Sequence, residues 1–128
     1  MDHAERLEQQ IKTILIVEDD GAIGEFLVEM LKFFTPYHAL LATDGMQALE
    51  MVKTVVPDLF ILDYFLPKMN GLELYIHFQE REELWATPVL LMSASNPVQE
   101  IEEHRISFIK KPFELDDLLQ MIETLLSA

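Results

Sequence analysis

The residues of this sequence that are equipped for chemistry are few, and most carry charge. Glu18, Asp19 and Asp20 stand in a row directly after the apolar run Ile14–Val17; Asp63 follows a second run, Leu59–Leu62; Ser93 follows a third; and Lys111 lies just beyond a fourth. If Asp19 and Asp63 came within about 5 Å of each other near the surface, their repulsion would be on the order of 3 kcal/mol, and Glu18 or Asp20 would add to it. Such a cluster calls for a cation. An all-oxygen, partly hydrated pocket with two or three carboxylates suits Mg²⁺, which keeps several waters and completes its shell with phosphoryl oxygens. His3, His38, His77 and His104 show no ligand spacing and read as ordinary surface or half-buried residues. Mg²⁺ beside a carboxylate, with a hydroxyl and an ammonium alongside, is the equipment for phosphoryl transfer to an aspartate. In that scheme Asp63 attacks phosphorus in line, Mg²⁺ and Lys111 neutralise charge on the equatorial oxygens, and Ser93 donates a hydrogen bond to one of them.

These residues must be carried by elements that bring them together. Ile14–Val17 is short, β-branched and continuously apolar, as a strand buried on both faces would be. Ile23, Phe26, Leu27, Met30, Leu31 and Phe34 then recur at helical spacing, and Thr35-Pro36 ends that helix. Ala39–Leu41 is a weaker strand, followed by a short helix carrying Met46, Leu49 and Val52. Leu59–Leu62 is a third strand, after which a helix opens at Asn70-Gly71 and is expected to run to about Glu83. Pro88–Met92 is a fourth strand. Asn96-Pro97 starts a helix through about Glu103. Phe108-Ile109 is a fifth strand, and Leu115, Leu118, Leu119, Ile122, Leu125 and Leu126 mark a closing amphipathic helix.

Five strands alternating with five helices predict an α/β domain of three layers, α/β/α, with a parallel sheet and right-handed crossovers. The common doubly wound order for five strands is 2-1-3-4-5. Its switch point lies between strands 1 and 3, and ligands bind beyond the carboxyl ends of the strands there. Glu18, Asp19, Asp63, Ser93 and Lys111 all fall at those ends. Carboxylates after strands also serve as helix N-caps, which would account for Asp20 or Asp44. It accounts poorly for Asp63, because Tyr64-Phe65-Leu66-Pro67 is no helix start.

Composition bounds the rest. At 128 residues, half of them apolar, the chain has the size of one domain with its own core. Residues 1–12 are polar and read as an N-terminal extension, frayed or forming a docking helix, ahead of a domain over 13–128. Acidic residues number 23 against 9 basic ones, a formal charge of −14, which disfavours direct binding to nucleic acid or an anionic membrane. The absence of cysteine excludes disulfides, thiolate catalysis and Cys-based metal sites. No apolar run approaches a membrane span, and a cytoplasmic location is expected.

At these residues the sequence resembles the receiver domain of two-component response regulators, in the single-domain form related to chemotaxis regulators, over essentially residues 13–126. The resemblance rests on Ile14-Leu15-Ile16-Val17-Glu18-Asp19-Asp20, on Pro57-Asp58-Leu59-Phe60-Ile61-Leu62-Asp63 with Pro67 and Gly71 four and eight residues later, on Leu91-Met92-Ser93-Ala94, and on Lys111-Pro112-Phe113. It implies a flavodoxin-like fold. It further implies Asp63 as phosphoacceptor and Mg²⁺ ligand, Asp19 as a direct ligand, Glu18 as a ligand through water, and the backbone carbonyl of Phe65 as third protein ligand. Ser93 becomes the switch hydroxyl, Phe108 the aromatic coupled to it, and Lys111 the phosphoryl-binding ammonium, through a cis Lys111-Pro112 bond. Strand alternation sends Lys110 elsewhere. In the implied switch, phosphorylated Asp63 draws Ser93 inward and lets Phe108 turn into the space vacated. The altered surface of the 97–103 helix, fifth strand and closing helix is then read by a downstream target protein. Phe108 is also readable as a plain core aromatic. The phosphoryl group would come from a histidine kinase or phosphotransfer protein, so the chain is expected to be a signalling phosphoacceptor with slight self-catalysis and not an enzyme.

Two departures from the family pattern carry expectations of their own. The step from Ser93 to Lys111 is about one helical turn shorter than usual, and the small-residue stretch before strand 5 is missing, so the helix over 97–103 is expected to be short or distorted. Phe65, two residues after Asp63, places a bulky apolar group where it can screen an acyl phosphate from water. That residue also argues against a phosphatase with an aspartyl nucleophile, which needs a second acid there. Glu18-Asp19-Asp20 argues against a mononucleotide carrier, whose phosphate it would repel. The remaining alternative is a receiver-like domain that works by protein contact without phosphorylation. Ending at Ala128, directly after the last helix, the sequence is expected to carry no output domain.

Overall fold

The computed structural model describes residues 11–95 and 106–127. The elements run β1 (Thr13–Val17), α1 (Gly21–Phe34), β2 (His38–Ala42), α2 (Gly45–Met51), β3 (Leu59–Asp63), α3 (Gly71–Gln79), a 3₁₀ turn (Glu82–Leu84), β4 (Val89–Ser93), β5 (Ser107–Lys110) and α4 (Leu115–Ser127). The strands form one parallel sheet in the order β2-β1-β3-β4-β5, so the strand order reverses beside β1 and β3 as expected.

Alternation along the strands divides the core in two, because successive side chains leave opposite faces of the sheet. Leu15, Val17, Phe60, Leu62 and Leu91 pack with Ala48 of α2, with Val52 at its C-cap, and with Leu74 and Phe78 of α3. Ile14, Ile16, Leu59, Ile61, Leu90 and Met92 pack with Leu27 and Leu31 of α1 and with Leu118, Ile122 and Leu126 of α4. Both faces are covered, which is why the central strands carry continuous apolar runs. On the first face the rings of Phe60 and Phe78 stack at 4.1 Å.

The helices start where capping side chains permit. Asp20 accepts from the N–H groups of Ala22 and Ile23, Asp44 from that of Gln47, and Asn70 from that of Glu73. Asp20 and Asp44 are thus N-caps.

Two expectations need correction, and two lie outside the described residues. The helix expected to reach Glu83 stops at Gln79: its stripe, Leu74 and Phe78, would continue at polar Arg81 and Glu82, so nothing remains to bury in helical register. The chain instead tightens into the 3₁₀ turn that buries Leu84, and the Trp85 indole N–H donates to the Gln79 carbonyl at 2.8 Å. The apolar stripe of α1 is also rotated from its expected centre. Gly24, Leu27 and Leu31 are buried, whereas Ile23, Phe26 and Phe34 are exposed. Gly24 explains this: a Cβ there would stand 2.8 Å from Leu41 Cδ1, so the helix lies against β2 on its glycine side and leaves the other flank in water. The helix expected over 97–103 and the extension over residues 1–10 lie outside the described residues. Of the five helices expected, four α-helices stand among the described residues.

Candidate functional site

The site is built at the carboxyl ends of four strands. Glu18 directly follows β1 and is buried to 1% exposure; Asp63 is the last residue of β3, at 6%; Asp19 beside Glu18 is exposed. One carboxylate oxygen from each of Glu18, Asp19 and Asp63 lies within 4.8 Å of the others. Lys111, one residue past β5, reaches across to them: its Nζ is 3.3 Å from Glu18 Oε1 and 3.4 Å from Asp63 Oδ2. Lys110 points away and is exposed, as strand alternation requires. The Lys111–Pro112 peptide is cis, and the Lys111 N–H donates to the Ser93 carbonyl at 2.8 Å, which ties the lysine's backbone to the end of β4.

Electrostatics at the cluster follow from burial. Removal from water pushes the Glu18 carboxyl up to about 7, and the hydrogen bond and charge of Asp63 push the same way; Lys111 and the Asp20 N–H oppose them. The net direction says that the lysine alone does not balance two buried acids. The donor set fits a hard divalent cation: three carboxylates, an open exposed member in Asp19, and no histidine among them. The Asp63 Oδ1 also accepts from the Phe65 N–H at 3.4 Å, a long contact that starts the turn after β3.

Ser93 closes β4 at 0% exposure. Its register partner on β5 is Lys110, and that of Leu91 is Phe108. Paired residues of parallel strands share a face, so Phe108 sits one step below Ser93 on the same side of the sheet. Phe108 is half-buried against the α2–α3 core. Phe65 is 58% exposed at the rim, with its ring edge-on to Tyr64 at 4.9 Å. The site thus gathers Glu18, Asp19, Asp63 and Lys111 around one point, with Phe65 at its edge and Ser93 on the adjoining strand end.

Two neighbours were not evident from the sequence as parts of the site. Ser95 touches the Ser93 hydroxyl. Gly71 packs against the peptide of Asp63, where a Cβ would stand 2.5 Å from its carbonyl oxygen. Its place eight residues after the aspartate was the only signal.

Comparison with known proteins agrees with this geometry. The sequence profile of the response regulator receiver domain matches residues 14–123. The response regulator MprA of Mycobacterium leprae is 36% identical over 117 residues, covering 88% of this chain and 50% of that protein. The chain spans about half the length of the curated relatives it matches. Among solved structures, a response regulator from Chloroflexus aurantiacus superposes with a TM-score of 0.84 at 26% identity, covering 93% of this chain and all of the other. The receiver domain of a sensor histidine kinase from Pseudomonas aeruginosa, solved with a magnesium ion coordinated in its active-site cleft, shares the fold at a TM-score of 0.80 and 22% identity, covering 92% of this chain and 99% of its own. With the strand order, the acidic cluster and the lysine already in place, the profile match over most of the chain makes this protein a member of the response regulator receiver domain family of two-component signalling.

Proposed function

We propose that Asp63 is the phosphoacceptor of a Mg²⁺-dependent switch that takes its phosphoryl group from a histidine kinase or phosphotransfer protein. The observation that carries this reading is the Lys111 ammonium 3.4 Å from Asp63 Oδ2, on a sheet edge that also holds Glu18 and Asp19. Asp19, Asp63 and the Phe65 carbonyl, with Glu18 through water, would hold Mg²⁺, which when bound supplies positive charge to the oxygens of a transferring phosphoryl group. Asp63 contributes the attacking carboxylate oxygen: a P–O bond forms to it as the P–N bond to the donor imidazole breaks. Lys111 presents its ammonium to both Glu18 and Asp63, where it can pair with phosphoryl charge. Ser93 offers a buried hydroxyl at the next strand end, and Phe108, on the same face one step below, is positioned to respond to its movement.

Residues 13–128 form this receiver unit and 1–12 its N-terminal extension. The domain acts in the cytoplasm as a phosphoacceptor with weak self-catalysis, and its product is an altered surface for a downstream target protein. Its charge of −14 disfavours direct contact with nucleic acid or anionic lipid. Among the described residues no helix is long and apolar enough to cross a membrane.

Incubation with Mg²⁺ and phosphoramidate, read by intact mass, tests the proposal. The wild type is expected to gain one phosphoryl group and Asp63→Asn none. Equal modification of both, or of neither while both are folded, would overturn it and leave the alternative of a receiver that signals by contact alone.

The phosphorylated form is expected to be long-lived, because Phe65 sets an apolar ring two residues from the acceptor, where it provides no group to orient water. Phe65→Asn should hasten release of inorganic phosphate about tenfold, a barrier change on the order of 1.4 kcal/mol. Rapid release from the wild type, little changed in the variant, would count against this role of the ring.

A further inference from the structure

Ser93 is buried, yet its hydroxyl is already engaged by a residue outside the acidic cluster. Its Oγ accepts the Ser95 N–H at 3.1 Å, and the Ser95 Oγ lies 3.3 Å from it. Ser95 itself is exposed, in the loop that leaves β4. A serine hydroxyl has one proton and two lone pairs. The Ser95 N–H occupies a lone pair, which fixes where the Ser93 oxygen sits, as in a local serine turn. The Ser95 hydroxyl then competes for the orientation of the remaining proton.

We propose that Ser95 is a positioning residue for phosphoryl transfer: its hydroxyl holds the Ser93 O–H turned toward the exit loop of β4, and releases it when a phosphoryl oxygen arrives at Asp63. This inference rests on the phosphoacceptor reading of Asp63 and extends it to a residue outside the charged cluster. The separation of 3.3 Å exceeds the usual O–H···O range of about 2.5–3.0 Å, so the latch is weak. A hydrogen bond to a charged oxygen is roughly twice as strong as one between neutral groups, so the exchange runs toward the phosphoryl group once that group is present. The backbone N–H of Ser95 stays in place throughout, so removing only the Ser95 hydroxyl frees the proton without displacing the oxygen.

The test measures the phosphorylation rate with phosphoramidate and Mg²⁺ for wild type, Ser95→Ala, Ser95→Thr, Ser93→Ala and the Ser93→Ala/Ser95→Ala double variant. Ser95→Ala is expected to react about two- to fivefold faster, the scale of one weak neutral hydrogen bond. Ser95→Thr, which keeps a hydroxyl, is expected to return to the wild-type rate. In the Ser93→Ala background the second substitution is expected to change nothing, because the proton it would free is gone. A Ser95→Ala rate equal to or below wild type, or an equal gain with and without Ser93, overturns the latch while the phosphoacceptor reading stands. Absence of phosphorylation in the wild type overturns both.

Discussion

Replacing Gly71 by alanine is expected to lower the melting temperature by about 10 °C and to slow phosphorylation of Asp63 about a hundredfold. Gly71 opens α3, and its N–H donates to the Tyr64 carbonyl at 2.8 Å, which folds the loop after β3 back onto the strand. A methyl group there would meet the Asp63 carbonyl oxygen at 2.5 Å and its carbonyl carbon at 3.1 Å. Leu91 Cδ1, at 2.9 Å, belongs to a flexible side chain and can yield; the peptide of Asp63 sits in a sheet and cannot without moving β3 or α3. Overpacking of this kind costs about 3 kcal/mol at the upper end of its ordinary range, and for a domain of this size each kcal/mol lowers the melting temperature by roughly 4 °C. The effect on rate is comparable in free energy to the effect on folding, because the displaced peptide is that of the proposed phosphoacceptor, and misplacement by about 1 Å is enough to cost about a hundredfold. Thermal unfolding and phosphoramidate kinetics measure the two effects. Gly21→Ala is the control: a Cβ there meets nothing within 4 Å, at the first turn of α1, so stability and rate should both hold. A Gly71→Ala protein that melts and reacts like wild type would show that the loop absorbs the methyl group without moving Asp63.

That crowding shows where sequence reasoning ends. The strands were legible because a strand buried on both faces must be apolar throughout; Ile14–Val17 satisfies this and stops at Glu18-Asp19-Asp20-Gly21, and Leu59–Leu62 satisfies it between Pro57-Asp58 and Asp63. The gathering of Glu18, Asp19, Asp63 and Lys111 followed from strand order alone, since a parallel sheet delivers all its carboxyl ends to one edge. Even the choice of Lys111 over Lys110 was a matter of parity along β5. The end of α3 was misread because helical spacing counts apolar residues and does not register that Leu84 can be buried as well by a 3₁₀ turn. The exposed flank of α1 was misread for a related reason: Gly24 contributes no hydrophobicity, yet its missing side chain decides which face lies on the sheet. The Ser93–Ser95 contact and the approach of Gly71 to Asp63 depend on loop backbone, which composition and periodicity do not encode. They are the details on which the rate of the proposed chemistry is expected to turn.

The same edge should make Mg²⁺ affinity, and the stability of the metal-free protein, respond to pH in opposite directions. Burial, reinforced by Asp63, pushes the Glu18 carboxyl from 4.5 up to about 7. Between those values the folded protein holds a proton that the unfolded chain has lost, so the metal-free protein is stabilised in acid and loses that contribution as pH rises through about 7. A divalent cation needs the charged carboxylate, so binding must expel this proton; apparent Mg²⁺ affinity should rise by up to about tenfold per pH unit below about pH 7 and level off above it. Melting curves in EDTA should therefore shift downward between about pH 5 and pH 7.5, whereas the upward shift caused by added Mg²⁺ should grow over the same range. Calorimetry in buffers of different ionisation enthalpy should record release of close to one proton per Mg²⁺ at about pH 6. Glu18→Gln removes the titrating group: its EDTA melting curves should flatten across this window and its Mg²⁺ affinity should lose most of its pH dependence. A wild-type affinity that is flat from about pH 5.5 to pH 8 would show that Glu18 is already ionised in the folded protein, with Lys111 sufficient to balance both buried acids.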